Sequence, residues 1–472
     1  MKTYSLFDNL YIIKQKKGVF IIYLPLKHIA FSADEDLILA LNYFKTHPNE
    51  KIKDNVYIEK ITEFLSEFNL DIQSISNDQM PPKPRINLNP TLVTLLPTFD
   101  CNLRCVYCYA NSGKVLKKRM SFEVAKAAID LISDNASNSN EKLFGLSFHG
   151  GGEPTMAWKL ITKSVSYAKE IAKNRKLKLQ THITTNGVLN SHQREWIAEN
   201  ISRIQVSFDG PEIIQNKQRP MANGEGSFDK VLETIKFFTN RGANFGIQTV
   251  ISNDSVDLME EITSFFSKIA PNCNIHFEPI FECGRCIYTG WETPDPDIYV
   301  KNYLKAWKKA ASKGISLVSS LSRLDVCTST YCGASGNNFF ITPNGYVTSC
   351  LEVTNLKDIR SDLFIYGKFD QKLKKFYIDF EKLSTLAARN IHNIPACRDC
   401  AIKWHCAGNC PSKSMLNGDL YNPTTSERCH ISQSISINQL FNLINHPESG
   451  KSSNIEVIDL MSKMNKNNSV TN

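Results

Sequence analysis

The stretch Asp100-Cys101-Asn102-Leu103-Arg104-Cys105-Val106-Tyr107-Cys108-Tyr109 sets three cysteines in a C-x3-C-x2-C spacing, just after the apolar, strand-like run Leu92–Leu96. Three thiolates so spaced can hold three corners of a cubane iron–sulfur cluster, whereas electron-transfer clusters of that type usually take four cysteines. A missing fourth protein ligand leaves one iron open to a substrate or cofactor, as open positions do in catalytic metal sites. The plainer alternatives are a zinc site or scattered buried thiols. Zinc in structural sites wants four closed ligands, often as paired C-x2-C units, and the triplet fits that poorly.

From Leu92 to about Phe281 short apolar runs alternate with helical stretches, the pattern of a parallel α/β architecture. The expected strands are Leu92–Leu96, Leu143–Phe148, Leu177–Ile183, Arg203–Phe208, Phe245–Ile251 and Asn274–Phe281. Helices near Phe122–Ser133, Lys159–Ala172, Ser191–Glu199, Phe228–Thr239 and Val256–Lys268 separate them. Six strand–helix units suit an open, partial (β/α)6 barrel of TIM type, over residues 92–290. In such barrels functional groups gather at the carboxyl ends of strands.

Ahead of the barrel, residues 1–80 read as a small α+β domain. Strands Leu10–Ile13 and Val19–Leu24 flank a Gln15-Lys16-Lys17-Gly18 turn, with a third at His28–Phe31 and amphipathic helices at about Asp34–Phe44 and Val56–Phe68. Pro81-Pro82-Lys83-Pro84 begins a stiff linker over 81–91. Behind the barrel a connecting helical segment is expected over 291–326, a cysteine-rich domain over 327–435, and a helix with a disordered tail over 436–472. The Ser-, Asn- and Lys-rich part of that tail starts at Ser449.

The cysteine-rich domain carries Cys397-x2-Cys400-x5-Cys406-x3-Cys410 and Cys429. Upstream stand Cys327, Cys332 and Cys350; Pro343-Asn344-Gly345 makes a hairpin turn between Asn337–Ile341 and Tyr346–Cys350. C-x2-C with further cysteines also describes zinc ribbons. Cys273, Cys283 and Cys286 are left over. Cys283-Gly284-Arg285-Cys286 reads as a redox pair, as channel lining or, without a thioredoxin-like context, as two free thiols.

Composition sets the outer bounds. The 472 residues, 42% hydrophobic and 22% charged, describe an ordinary globular protein of two or three domains. No run approaches the ~20 apolar residues of a membrane span, and MKTYSLFDNL lacks a signal-peptide core, so a cytoplasmic protein is expected. Fourteen cysteines in clusters suit metal binding in a reducing compartment better than a disulfide scaffold. The net charge of +8 is spread along the chain and points to a solvated surface rather than to nucleic acid or a membrane.

The triplet, followed by Gly151-Gly152-Glu153-Pro154 just past the run Leu143–Phe148, resembles the radical S-adenosylmethionine (radical SAM) enzymes. The resemblance implies one open [4Fe-4S] cluster that binds S-adenosyl-L-methionine and yields a 5′-deoxyadenosyl radical. It also implies cofactor contacts by position. Gly151 and Gly152 would admit the methionine moiety, Glu153 would help hold its ammonium, and Tyr107 would pack near the adenine. Ser207 matches a ribose contact, Arg219 a carboxylate contact, and Asn186 ends a strand facing the same site. Cys332, Cys350, Cys397, Cys400, Cys406, Cys410 and Cys429 together resemble the SPASM extension carried by a branch of these enzymes. Carried over by position, Cys327, Cys332, Cys350 and Cys410 would hold a first auxiliary cluster, and Cys397, Cys400, Cys406 and Cys429 a second.

Close relatives in that branch modify peptides or proteins. The resemblance therefore implies oxidative modification of a ribosomally made peptide, of thioether or carbon–carbon crosslink type, with a reduced flavodoxin or ferredoxin as electron donor. An alternative is an anaerobic sulfatase maturase forming formylglycine. In those enzymes an Asp acting as base follows the cysteine equivalent to Cys350; here Leu351 stands there, and Glu352 is expected on the opposite face of an extended segment. An alternative of another class, a non-catalytic iron–sulfur electron-transfer protein, needs neither an open triplet nor Gly152 and Glu153. The order of elements in residues 1–80 is similar to winged-helix-like leader-recognition domains in pattern alone. The plainer reading of that unit is a packing cap on the barrel.

Overall fold

The structure, a computed structural model, describes residues 2–7, 9–14, 20–46, 80–86, 89–113, 118–446 and 456–458. Strands β1 (Lys2–Phe7), β2 (Leu10–Lys14), β3 (Phe20–Leu24) and β4 (Ile29–Ala33) form an antiparallel meander. Helix Glu35–Thr46 follows it. The sequence reading missed β1; its 15–18 turn and its helix at 56–68 lie outside the described residues. The expected disorder of the tail fails at Glu456–Ile458, which pair in parallel with Ile29–Phe31 of β4. An open strand edge supplies the hydrogen-bond partners that an isolated tail lacks, and β-branched Val457 and Ile458 suit the extended state.

Among the described residues the meander packs against the C-terminal helix and the cysteine-rich region, with Trp307 between it and the main core. Tyr11, Ile13, Ile21 and Tyr23 share one core with Ile437, Leu440 and Phe441 of helix Glu427–Asn445, and with Ala401. Trp404 Nε1 donates to Asn9 Oδ1 at 2.6 Å, tying the same two regions. The Pro81–Pro82 carbonyls are also engaged there, with His392 Nε2 and Ser329 Oγ at 2.8 and 2.5 Å.

The central sheet follows the chain order. Strands β5 (Leu92–Leu95), β6 (Leu143–Phe148), β7 (Lys178–Thr185), β8 (Arg203–Ser207), β9 (Phe245–Ile251) and β10 (Asn274–Pro279) are parallel neighbours. Helices Phe122–Asn138, Trp158–Arg175, Ser191–Asn200, Phe228–Arg241 and Met259–Ile269 connect them. A short β11 (Ser316–Val318) adds to β10. At the other edge β5 bonds β12 (Phe340–Ile341), which continues through β13 (Tyr346–Thr348), β14 (Ile365–Asp370) and β15 (Lys375–Ile378). The sheet is thus an open, partial barrel, and the expected hairpin of the cysteine-rich region is stitched to its first strand. Gly345, at φ +79, makes that hairpin's turn.

Parallel strands covered on both faces usually read as continuous apolar runs. Here β8, β9 and β10 alternate instead. Ile204, Val206, Ile247, Ile275 and Phe277 are buried in the main core with Ile235, Phe238 and Phe266 of the helices. The intervening Gln205, Ser207, Gln248, His276 and Glu278 stay partly accessible and line a cavity on the other face. Among the described residues no helix is long and apolar enough to cross a membrane.

Candidate active site

The loop bearing Cys101, Cys105 and Cys108 leaves β5 and is clamped from three sides. Gly152 N and Glu153 N donate to Thr98 O and Asp100 O at 3.0 and 2.8 Å. Arg104 N and Val106 N donate to Pro220 O and Gln218 O at 2.8 and 3.0 Å. From a third side come Gly284 and Arg285, which the sequence left without a role. Arg285 N donates to Cys108 O at 2.9 Å, and its guanidinium to Cys105 O at 2.8 Å and to Ser112 O. The Cys283–Cys286 segment is therefore a brace for the cysteine loop as well as a pair of thiols.

The two glycines after β6 serve the same loop. A Cβ on Gly151 would stand 2.6 Å from the Phe99 ring, and one on Gly152 would lie 2.7 Å from the Asp100 carbonyl carbon. Their bareness lets the end of β6 seat against the residues leading into Cys101.

Glu153 is buried and accepts from Thr155 N (3.1 Å), Thr155 Oγ1 (2.8 Å), Thr185 Oγ1 (2.8 Å) and Asn186 N (2.7 Å). Burial raises its carboxyl, and these donors pull it back. Asn186 Nδ2 reaches Asn102 Oδ1 at 2.7 Å and Cys101 Sγ at 3.9 Å. Arg219 forms an ion pair with Asp209 (3.0 Å), lies over the Tyr107 ring and reaches Cys105 Sγ at 4.0 Å. The Tyr107 hydroxyl donates to the fully buried Asp209. Asp209 also accepts from Gln218 Nε2 (2.7 Å) and Val250 N (3.0 Å). At this strand end the resemblance pointed to Ser207, and Asp209, two residues beyond it, was assigned no role. A carboxylate at a parallel strand's end, ten residues before an arginine, was the available signal.

Burial pushes the Cys101 thiol up to about 11, with Glu153 adding to it, and Cys105 up to about 12, against the pull of Arg219. Thiols in that state ionise when a cation binds them, which is the chemistry a metal cluster requires of its ligands. The donor set therefore fits an open cluster.

Cys105 and Cys108 open on a cavity of about 490 Å3 whose floor carries Ser207, His276 and Glu278. Cys410, Lys413 and Glu352 line the same cavity. Glu352 was expected to point away. Residues after β13 form a turn rather than an extended strand, so alternation fails and the carboxylate enters the cavity. Lys413 Nζ holds it at 2.8 Å and Arg360 Nη1 at 3.2 Å. Burial works against the charge, but Lys413 and Arg360 hold its carboxyl below the usual range. Lys413 Nζ also reaches Cys283 Sγ at 3.6 Å. A second groove of about 760 Å3 shares Phe281, Cys283 and Arg428 with the cavity and leads outward past the exposed Ile287, Tyr288 and Ile359.

The remaining cysteines fall into groups. Desolvation and then charge on Cys410 raise the Cys332 thiol; burial, Glu352 and then Cys410 raise Cys350. Burial, Cys406 and Cys429 push Cys397 up to about 12, and Cys406 acts on Cys400 and Cys429 after their own burial. Cys327 is half-buried. Its thiol donates to Pro25 O at 3.3 Å and it packs against the Ile391, Ile394, Cys397 and Trp404 cluster. Cys273 is a core residue, and Cys286 donates to Trp291 O at 2.7 Å. Among the described residues no three Cys, His, Asp or Glu side chains are grouped closely enough to hold a metal ion.

Residues 95–266, which contain the cysteine loop, Glu153 and Asp209, match the radical SAM superfamily. The chain carries a radical SAM domain. Around it the chain is similar to the cysteine-type anaerobic sulfatase-maturating enzyme of Clostridium novyi, at 29% identity over 172 residues, 36% of this chain and 46% of that enzyme. It is also similar to mycofactocin maturase MftC of Mycolicibacterium smegmatis, at 23% identity over 342 residues, 70% of this chain and 80% of MftC. The chain spans about half the length of the first curated relatives it matches. The radical SAM fold is shared with the solved structure of native anSMEcpe with bound AdoMet and Cp18Cys peptide, with a TM-score of 0.58 at 18% identity, covering 75% of this chain and 99% of that one.

Proposed function

We propose that this protein is a radical SAM enzyme that oxidatively modifies a ribosomally made peptide, forming a thioether or carbon–carbon crosslink. One observation carries this reading: a single cavity is lined by Cys105 and Cys108 together with Cys410 and Glu352. When bound there, the open cluster and S-adenosyl-L-methionine supply a 5′-deoxyadenosyl radical that takes a hydrogen atom from the substrate. Cys101, Cys105 and Cys108 are the ligands proposed for that cluster. Tyr107, Ser207 and Arg219 line the cofactor's side of the cavity, while Gly151, Gly152, Glu153 and Asn186 hold the loop in place. Glu352, kept ionised by Lys413, accepts the proton released as the new bond forms.

Two further [4Fe-4S] clusters are proposed as the electron's exit. One rests on Cys332, Cys350 and Cys410, with Cys327 joining once its bond to Pro25 O opens; the other rests on Cys397, Cys400, Cys406 and Cys429. A reduced flavodoxin or ferredoxin is the proposed donor. The meander is proposed to take up the peptide's leader by strand addition at β1, since Glu456–Ile458 occupy the β4 edge. The formylglycine reading is favoured by the same Glu352, which supplies in the cavity the carboxylate missing at Leu351. Mass spectrometry after anaerobic turnover decides between them, using a Cys-bearing peptide encoded beside the gene and a sulfatase peptide. A crosslinked peptide two hydrogens lighter supports the first reading. An aldehyde formed only on the sulfatase peptide replaces it with the second.

A further inference from the structure

Arg389 is almost fully buried, yet among the described residues its hydrogen-bond acceptors are four backbone carbonyls and the Ser414 hydroxyl. No carboxylate is among them. Three of the carbonyls belong to Ala407, Gly408 and Asn409, the turn between Cys406 of one proposed set and Cys410 of the other. All three turn residues are left-handed, at φ 48, 77 and 58. Two of them carry side chains, for which that region is unfavourable, so the turn persists only because something holds it. The guanidinium, which Asn409 O approaches to 2.9 Å, holds it together with the bonds from Ala407 N to Lys403 O at 2.8 Å and from Cys410 N to Asn409 Oδ1 at 2.7 Å. The Arg389 carbonyl in turn accepts from Ser335 Oγ at 2.8 Å, three residues beyond Cys332.

A buried cation without an anion is costly. Burial lowers the guanidinium's hold on its proton, and negative charge on Cys410, Cys397, Cys406 or Cys332, drawn from both sets, would oppose it. Arginine remains charged in proteins, and its place in the turn between Cys406 and Cys410 sets that charge between the two proposed sets.

We infer that Arg389 is a positioning residue and shared counter-cation, wedged in the 407–409 turn so that Cys406 and Cys410 diverge to separate auxiliary clusters while its charge acts on both. This rests on the two-auxiliary-cluster part of the proposed function. Cluster potentials follow net charge and nearby hydrogen bonds. Removing the cation makes reduction of both auxiliary clusters harder and leaves the Cys101–Cys108 cluster unchanged.

The test compares full-length wild type, R389Q and R389K, each reconstituted anaerobically, by iron content and by redox titration followed with electron paramagnetic resonance. Expected are about twelve irons in wild type, both auxiliary midpoints shifted to more negative values in R389Q, and near wild-type midpoints in R389K. Full iron loading with unmoved auxiliary midpoints in R389Q overturns the inference alone. About four irons in wild type removes the auxiliary clusters themselves, and the inference with them. If R389Q takes up no auxiliary iron, R389K decides. Full loading at wild-type midpoints upholds the shared charge, and loading of only about four irons overturns it.

Discussion

Cys105 and Cys108 border about 490 Å3 of open cavity, whereas Cys397, Cys400, Cys406 and Cys429 together border only about 20 Å3. The first loop is held by backbone bonds from the ends of neighbouring elements, and its sulfurs receive the side chains of Asn186 and Arg219. The second group folds around itself, on short turns and a buried arginine. An incoming molecule has room beside the first group and almost none beside the second. Open and closed ligand sets differ in this way, and the proposed split between cofactor chemistry and electron exit rests on that contrast, with Cys410 of the first auxiliary set meeting the open cavity.

The largest effect expected from breaking the contrast is on product. In C397A/C400A, peptide product is eliminated while some uncoupled cleavage of S-adenosylmethionine survives, measured by chromatography of 5′-deoxyadenosine and mass spectrometry of the peptide. Loss of both together would erase the division of labour. E352Q touches the wall between the two territories. It is expected to lower product formation about 100-fold, within the usual range for a general base, with cofactor cleavage retained. Unchanged product would remove Glu352 from the chemistry.

Glu278 joins the barrel floor to Arg428, beside Cys429. Burial opposes its charge, but His276 and Arg428 bring its carboxyl down to about 2. Its contribution is therefore complete above the unfolded carboxyl range near 4.3 and is lost as pH falls toward about 2. E278Q is expected to unfold more easily in urea by about 2–3 kcal/mol at neutral pH. The gap should close below pH ~4; a gap independent of pH would assign the effect to packing. The smallest change is W404F, which removes the bond to Asn9 and should cost about 1 kcal/mol. Hydrogen exchange should rise in β2 and β3 and not in β8; a rise in β8 would restore the barrel as the meander's support.

Much of this was readable in the chain. The run Phe245–Ile251 became β9 with both bounds as read, and Asn274–Pro279 fell short of its expected end by two residues, because Pro279 closes the strand. The cysteine triplet also announced its chemistry, since ligand spacing is local. Glu352 was misplaced because alternation holds only while a strand continues, and the chain turns after Thr348. That Gly151 and Gly152 also seat against Phe99 and Asp100 was not legible, because that approach is a tertiary fact. Arg389 was invisible for the same reason, its partners lying on other segments, whereas Asp209 was legible only as a strand-end carboxylate ten residues before Arg219. The polar alternation of β8 to β10 was on the page and would have exposed the cavity.

The most direct measurement of the central claim is reductive cleavage of S-adenosylmethionine by the anaerobically reconstituted full-length protein with dithionite, beside C101A/C105A/C108A. 5′-Deoxyadenosine should form with wild type and vanish in the triple variant. No 5′-deoxyadenosine from iron-loaded wild type, or equal amounts from both proteins, would contradict the account.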